Sequence, residues 1–376
     1  MSSASIDTLR KRARRRVPRI FFDYADGGAT RETALALNTS RLAEIRMLPR
    51  APRNVSKRNV GVDLFGNHYD MPLGIAPIGL ANLFWPGADA AMAKAARNAG
   101  IPHVLSTAAS TTIEEIGEIS EGTGWYQLYA SCDERVNESL LTRAEAAGYE
   151  VLVLTIDVAL PGRRWRDLRN GFKLPMPFGP AFISQLATCP AWLRASIGRP
   201  VPKIVNLEQY APSGGAQSLA QFMASQISSS IDLAAVAQVR NRWKGPLVVK
   251  GVLNPQDAID LSKAGVDGVI VSNHGGRQLD SAPASIDALR LVAETVGNKV
   301  TVMMDGGIRT GEDIAVALAS GAKFVFAGRA FLYSVAATGD ASPAVEILRD
   351  EFDRALGQLG CCSATELSTD YLFPEI

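Results

Sequence analysis

The sequence predicts a closed (β/α)8 TIM barrel, and the order of its apolar runs is the main evidence. From residue 71 onward, eight short apolar runs alternate with segments of helical periodicity, which is typical of βα units in a parallel sheet. A chain of 376 residues can close eight such units into one barrel with insertions. No G-x-G-x-x-G motif follows a predicted strand, which disfavours an open dinucleotide-binding sheet. We therefore expect a single domain over residues 1–376.

The predicted strands and helices alternate regularly, apart from one long connection. The strands are Leu73–Ala76, His103–Thr107, Trp125–Tyr129, Val151–Asp157, Leu247–Val252, Gly268–Asn273, Thr301–Met304 and Phe324–Ala327. Helical periodicity occurs at Ala88–Asn98, Glu134–Ala147, Pro255–Ala264, Ala284–Val296 and Glu312–Ala319. Between the fourth and fifth strands, residues 173–230 are rich in proline and glycine. We expect them to form an irregular inserted loop with a function, since long loops in compact folds usually have one.

Composition excludes several classes of function. With 39 basic and 38 acidic side chains the formal net charge is +1, so no strong field attracts nucleic acid and no such partner is expected. The three histidines lie far apart without metal-ligand spacing, so no metal site is expected. The four cysteines form no disulfide framework, which indicates a reducing compartment and predicts a cytoplasmic protein.

The inserted segment is the main indication of a membrane. The N-terminal basic run is followed by only three apolar residues, so no export signal is expected. Residues 71–88 are uncharged but contain three prolines and three glycines, which would break a spanning helix. Residues 173–230, by contrast, combine large apolar side chains with two arginines. These are Phe178, Phe182, Leu186, Trp192, Leu193, Arg194 and Arg199. We expect peripheral docking on the inner face of the cell membrane, with an active-site lid or a subunit contact as alternatives.

Polar side chains stand at the ends of most predicted strands. They are Ser106, Thr107, Gln127, Tyr129, Thr155, Asp157, Lys250, Ser272, Asn273, His274, Asp305 and Arg329. In a TIM barrel the carboxyl ends of the strands meet at one face, and catalytic groups gather there. We therefore expect these side chains to form one site.

The last two strand ends favour a phosphate site. At each of these two strand ends a glycine precedes an arginine: Gly307 lies before Arg309, and Gly328 lies before Arg329. Backbone N–H groups and guanidinium groups after strands seven and eight commonly bind phosphate in such barrels, although plain turns are the alternative. Lys250 ends an apolar strand, so it requires an ion-pair partner, a Schiff-base role or a bound group that gains from positive charge.

Two segments suggest proton transfer from an acid substrate. His274 can accept a proton near neutral pH, and Arg277, three residues later, can hold a carboxylate by two hydrogen bonds. The two glycines between them allow a ligand to approach closely. Arg164 follows the fourth strand and predicts a second anion contact, with an exposed basic turn as the alternative.

These residues resemble those of a known family, the FMN-dependent L-2-hydroxy acid dehydrogenases and oxidases. The likeness covers nearly the whole chain and is most specific at residues 272–280, SNHGGRQLD. Supporting segments are Asp23-Tyr24 before the glycines at 27–28, QLY at 127–129, VVKG at 248–251, DGG at 305–307 and Gly328-Arg329.

The resemblance implies an FMN cofactor and a role for each matching residue. His274 is similar to the base that activates the substrate, with Asp157 orienting it. Arg277 and Arg164 resemble the pair that holds the substrate carboxylate, and Tyr24 and Tyr129 the phenols that contact substrate oxygens. The implied flavin-ring contacts are Pro77, Ile78, Gly79, Ser106, Gln127, Thr155, Lys250 and Ser272. The implied ribityl and phosphate contacts are Asp305, Gly307, Arg309, Gly328 and Arg329.

Substrate and partners are also implied by the resemblance. Gly79 and Ala108 are small where glycolate-oxidising members carry alanine and a large aromatic, which favours an aromatic, mandelate-like substrate. The alternatives are an L-lactate dehydrogenase or an oxidase that uses O2. Membrane-bound members carry a segment comparable to 173–230, so a quinone is expected as the electron acceptor. The resemblance also implies a homotetramer. A lysine Schiff-base aldolase acting on a sugar phosphate is the alternative from a different class.

Overall fold

A computed structural model of the chain describes residues 4–173, 179–210 and 231–374. Eight parallel strands close into a barrel in chain order, with the last pairing to the first, and a short antiparallel hairpin precedes them. The hairpin strands are β1 (Val62–Leu64) and β2 (Asn67–Tyr69). The barrel strands are β3 (Leu73–Ile75), β4 (His103–Ser106), β5 (Gly124–Leu128), β6 (Val151–Thr155), β7 (Leu247–Val252), β8 (Gly268–Val271), β9 (Thr301–Asp305) and β10 (Phe324–Ala327). The predicted TIM barrel is confirmed, and every strand boundary lies within two residues of its prediction.

Helices connect the strands and also precede and follow the barrel. In the described ranges they are α1 (Ile6–Arg16), α2 (Arg19–Asp26), α3 (Thr33–Glu44), α4 (Ala81–Phe84), α5 (Ala88–Asn98), α6 (Ile113–Ser120), α7 (Glu134–Ala146), α8 (Trp165–Arg169), α9 (Pro180–Ala187), α10 (Pro190–Ser196), α11 (Leu233–Arg242), α12 (Pro255–Lys263), α13 (Ser285–Val296), α14 (Gly311–Ala319), α15 (Arg329–Thr338) and α16 (Ser342–Leu359). The five predicted helices are confirmed. Local chemistry sets their starts, as at α14, where Thr310 and Asp313 form a reciprocal capping box.

The hairpin closes the amino-terminal end of the barrel, which sequence reasoning missed because its two strands are only three residues each. Trp125, near the start of β5, donates its indole N–H to the Tyr69 hydroxyl at 3.0 Å and packs 5.9 Å from the Phe65 ring. Inside the barrel, a side chain at Gly74 would lie 2.5 Å from the Phe326 ring. This end is therefore filled by aromatic groups, and any ligand site lies at the opposite, carboxyl end.

The segment expected to be an irregular loop instead contains α9 and α10, both beginning at a proline. Phe182 and Trp192 are buried against Phe21 of α2, with ring centroids 5.8 and 5.3 Å away. Two of the side chains expected to meet a membrane therefore pack onto the protein, and Phe178 lies outside the described residues. Within residues 179–210, the exposed large apolar side chains are Ile183, Leu193, Ile197 and Val201. In the described ranges, no helix has the length and apolar character that crossing a bilayer requires.

Candidate active site

A cavity of about 450 Å³ opens at the carboxyl ends of the barrel strands, and it gathers most of the predicted site residues. Its lining includes Tyr24, Pro77, Ile78, Gly79, Ala108, Tyr129, Arg164, Lys250, His274, Arg277, Asp305, Gly307, Arg309, Gly328 and Arg329. The other predicted residues lie outside this lining but adjoin it through hydrogen bonds or strand pairing. They are Ser106, Gln127, Thr155, Asp157 and Ser272.

The His274 imidazole is held by its Nδ1 atom. That nitrogen lies 3.0 and 3.2 Å from the two carboxylate oxygens of Asp157, while Nε2 lies 3.5 Å from the Tyr129 hydroxyl. Burial acts to raise the pKa of Asp157, but the charge and hydrogen bond of His274, together with the charge of Lys250, keep that pKa below its usual value. A ring oriented by a carboxylate at Nδ1 can accept a proton at Nε2 and is stabilised when it does.

Backbone geometry explains the glycines after this histidine. His274 has φ of 57°, and the next two residues, Gly275 and Gly276, are also left-handed. A side chain at Gly276 would lie 2.4 Å from the backbone nitrogen of Leu35. The turn therefore requires glycine there, and it returns the chain so that Arg277 faces the same cavity as His274.

Two guanidinium groups approach the ring of Tyr24. Arg277 lies 5.1 Å from the ring centroid and Arg164 lies 5.8 Å from it. Nη1 of Arg277 donates to the carbonyls of Tyr24 and Gly27, at 2.6 and 3.1 Å, which fixes the plane of its guanidinium. Burial, together with the charge of Arg164, lowers the pKa of Arg277 to about 10. The site therefore concentrates positive charge that a bound carboxylate would compensate.

The floor of the site is polar and buried. Lys250 Nζ donates to Ser272 Oγ at 2.8 Å and forms an ion pair with Asp305. Among the described residues, three buried polar atoms here have no hydrogen-bond partner: Gln127 Nε2, Thr155 Oγ1 and Asp305 Oδ1. Buried polar groups are rarely left unpaired, so a bound group with both donors and acceptors fits this floor.

The two arginines predicted at the phosphate site differ in their surroundings. Arg329 donates to the carbonyls of Ala25, Gly275 and Gly27, at 2.9, 3.0 and 2.8 Å, so it braces the N-terminal segment against the His274 turn. Among the described residues, the Arg309 guanidinium makes one hydrogen bond, from Nη1 to the Ile308 carbonyl at 2.7 Å. Arg309 therefore presents more of its guanidinium to a ligand than Arg329 does.

Sequence reasoning missed three residues at the site. Phe172 lines the cavity and stacks on Tyr24, with ring centroids 4.5 Å apart and planes 13° apart. Asp167 accepts from Arg164 Nε at 2.8 Å, and Ile204 of the inserted segment lines the cavity. None of them lies at a strand end or in a regular pattern, and proximity to Arg164 is the one sequence signal available for Asp167.

Together, the barrel and this site define a cofactor-dependent enzyme that acts on a small acid. A protein-family model for FMN-dependent dehydrogenase matches residues 13–374. The chain is 37% identical over 370 residues to (S)-mandelate dehydrogenase of Pseudomonas putida, covering 98% of this chain and 93% of that protein. It is 40% identical over 362 residues to an L-lactate dehydrogenase of Caulobacter vibrioides, covering 95% of this chain and 93% of that protein. A crystal structure of the monotopic membrane protein (S)-mandelate dehydrogenase superposes with a TM-score of 0.93 at 37% identity, covering 99% of each chain.

The chain belongs to the FMN-dependent dehydrogenase family, and its cofactor is FMN. The prediction of an FMN-dependent dehydrogenase that oxidises an L-2-hydroxy acid is confirmed by these relatives. The unpartnered amide, hydroxyl and carboxylate groups of the floor fit a flavin, whose ring and side chain carry both donors and acceptors. The aldolase alternative is not supported, because Lys250 is engaged with Asp305 and Ser272 rather than presented as a nucleophile.

Proposed function

We propose that the protein oxidises an aromatic L-2-hydroxy acid, with (S)-mandelate as the representative, to the corresponding 2-oxo acid. The observation that carries this proposal is the pairing of two small residues in the cavity wall. A β-carbon at Gly79 would lie 3.0 Å from the β-carbon of Ala108, so the two positions face each other. Because neither carries a large side chain, the space beside them is available to a phenyl group. The relative with a TM-score of 0.93 is a mandelate dehydrogenase, which supports the same substrate class.

The chemistry follows from the geometry of His274. When bound, FMN would supply the acceptor for the two electrons and for one of the two protons that leave the substrate. Nε2 of His274 takes a proton from the substrate, and Asp157 stabilises the imidazolium that forms. Burial raises the pKa of Tyr129, so its hydroxyl stays protonated and donates a hydrogen bond to a substrate oxygen. The Tyr24 hydroxyl contacts a substrate oxygen as well.

The remaining predicted residues bind and orient. Arg277 and Arg164 hold the substrate carboxylate, which positions the reacting carbon. Lys250 would hold the flavin ring, and its positive charge would favour the negative charge that the ring gains on reduction. The other residues proposed for the flavin ring are Pro77, Ile78, Gly79, Ser106, Gln127, Thr155 and Ser272. Those proposed for the ribityl chain and phosphate are Asp305, Gly307, Arg309, Gly328 and Arg329.

Anaerobic bleaching of the flavin tests this proposal before any electron acceptor is known. The purified enzyme is mixed with glycolate, L-lactate, (S)-mandelate or (S)-4-hydroxymandelate, and the loss of flavin absorbance is followed. We expect the aromatic acids to give the largest second-order rate constants for reduction of the flavin. Faster reduction by L-lactate would overturn the aromatic assignment, and no reduction by any of them would overturn the 2-hydroxy acid assignment.

Enlarging either small wall residue is expected to shift preference towards small substrates. In Gly79→Ala and Ala108→Trp the added atoms enter the space assigned to the phenyl group, and close-packed pockets absorb extra volume poorly. We expect kcat/KM for mandelate to fall about 10- to 200-fold relative to L-lactate. Steady-state kinetics with both acids provide the measurement. Unchanged ratios in both variants would contradict this pocket geometry.

We also propose peripheral attachment to the inner face of the cell membrane through the exposed part of residues 173–230. Ile197 is 78% exposed, Val201 63% and Ile183 57%, and Arg194 and Arg199 are exposed beside them. Apolar side chains with neighbouring cations are the combination that binds an anionic lipid surface. The similar (S)-mandelate dehydrogenase is described as a monotopic membrane protein, which supports the proposal.

Removing the exposed apolar groups is expected to release the enzyme from membranes. The variant combines Ile183→Ser, Leu193→Ser, Ile197→Ser and Val201→Ser and keeps the buried Phe182 and Trp192. We expect sedimentation with anionic vesicles at low salt to be lost, while reduction of the flavin by substrate is retained. Leu291→Ser is the matched control, because Leu291 is 56% exposed on α13. If the unaltered enzyme does not sediment with these vesicles, the membrane assignment is wrong and the lid interpretation replaces it.

A membrane quinone is the electron acceptor that this attachment favours, with O2 as the alternative, and a homotetramer is the proposed assembly. Re-oxidation of substrate-reduced enzyme by a soluble quinone analogue, compared with air-saturated buffer, distinguishes the two acceptors. Light scattering in solution measures the mass of the assembly against the 40.1 kDa chain.

A further inference from the structure

The inserted segment contacts the wall of the cavity at three points. Ile204 lines the cavity directly. Trp192 donates its indole N–H to the carbonyl of Phe84, which also lines the cavity, at 3.2 Å. The third point is Asn206, which reaches the loop between β4 and α6, residues 107–112.

Asn206 is fully buried and all its polar side-chain atoms are used. Nδ2 donates to the carbonyl of Thr111 at 3.1 Å. Oδ1 accepts from the backbone N–H of Ile113 at 3.1 Å and from Arg143 Nη2 at 3.0 Å. One side chain of the insert therefore binds both sides of the turn into α6.

The same loop is held from its other side by Asp89 of α5. The Asp89 carboxylate is buried and accepts from the Ser110 N–H at 3.0 Å and the Thr111 hydroxyl at 3.1 Å. The Thr111 hydroxyl in turn accepts a hydrogen bond from Asn82 Nδ2 at 3.1 Å. Thr111 is thus held between α5 and the insert, three residues from Ala108.

We propose that Asn206 is a positioning residue that sets substrate selectivity, because it ties the inserted segment to the loop that places Ala108 in the cavity wall. This inference rests on the proposed function. An aromatic substrate would lie against Ala108 and require the loop in its place, whereas lactate, which ends in a methyl group, would not reach it. The insert is then part of the specificity apparatus as well as an attachment surface.

Asn206→Asp breaks the link selectively. The new carboxylate can still accept from Ile113 and Arg143, but it cannot donate to the Thr111 carbonyl and instead places an acceptor against it. We expect kcat/KM for (S)-mandelate to fall on the order of tenfold, mainly through KM, as the wall loses its position. The flavin content and the kcat with L-lactate are expected to stay within about twofold of the unaltered enzyme, since lactate does not reach Ala108 and the Ser106 hydroxyl keeps its bond to Gln127.

Two further variants separate this role from general support of the insert. Tyr210→Phe removes the bond from the Tyr210 hydroxyl to Ser139, which ties the same end of the segment to α7 and not to the Ala108 loop. We expect it to leave unchanged the ratio of kcat/KM for (S)-mandelate to kcat/KM for L-lactate. Thr111→Val keeps the side-chain shape but removes the bond to Asp89, and it should lower the ratio as Asn206→Asp does. Because the Thr111 carbonyl that Asn206 binds is kept, this variant tests whether the position of the loop sets selectivity, and an unchanged ratio in it overturns the proposal even if Asn206→Asp does not fold.

Each outcome of the experiment decides between interpretations. A lower ratio in Asn206→Asp and Thr111→Val, but not in Tyr210→Phe, supports the proposal. An unchanged ratio in the first two, or an equal fall in all three, overturns it and leaves Asn206 as an anchor only. These outcomes concern an enzyme whose flavin the hydroxy acids reduce. Failure of the unaltered enzyme to be reduced by either acid would instead refute the proposed function.

Discussion

His274→Gln is expected to retain FMN and to lose turnover by about 10²- to 10⁴-fold. Glutamine can fill part of the imidazole's space and can still approach Asp157, but it has no nitrogen that accepts a proton near neutral pH. In the proposed site, FMN is bound by Lys250 and the glycine-rich turns after β9 and β10, which the substitution does not touch. Flavin absorbance of the purified variant measures the cofactor, and steady-state kcat with (S)-mandelate measures the loss.

The matched control is His68→Gln. His68 is exposed in the hairpin at the opposite end of the barrel, where its ring lies 2.7 Å from Asp63, and its replacement should leave kcat unchanged. If His274→Gln keeps most of its activity, the assignment of His274 as the base is wrong. If it loses FMN as well as activity, the variant reports on the cofactor site instead.

Arg277→Lys is expected to lower kcat/KM on the order of 10²-fold, with losses in both KM and kcat. The half-buried guanidinium of Arg277 is held by two backbone carbonyls, so its remaining N–H groups have a fixed direction. An ammonium group cannot reproduce that planar fork, and the substrate carboxylate would be both weakly bound and misplaced. Initial rates with (S)-mandelate over a range of concentrations separate the two parameters.

Arg164→Met is expected to have a smaller effect, about tenfold on kcat/KM, because the Arg164 side chain is 28% exposed and shares its charge with Asp167. Arg135→Met is the control, since the Arg135 side chain is 89% exposed and its ion pair, among the described residues, is with Asp133, away from the cavity. Normal kinetics in both Arg277→Lys and Arg164→Met would remove the argument that this pair holds the carboxylate.

The barrel and most of its site could be predicted because both depend on simple patterns. Strands of a parallel barrel are buried on both faces, so they occur in the sequence as continuous apolar runs. Their carboxyl ends meet at one face, and this brings Lys250, His274 and Asp305 together although they are far apart in the chain. The segment at 272–280 added specificity, since its glycines and polar residues are required by one turn.

The tertiary structure alone decided which side chains of the inserted segment face the protein. Residues 173–210 contain apolar groups without a long regular period, so the sequence could not show that Phe182 and Trp192 pack on α2 while Ile183 and Ile197 face outwards. It also decided the contacts of Phe172, Asn206 and Arg329, each of which meets a partner distant in the chain. The burial of a residue can be predicted from the sequence when apolar residues recur around it at the spacing of a helix or a strand. Where this spacing is absent, burial is determined by tertiary packing and cannot be predicted from the pattern.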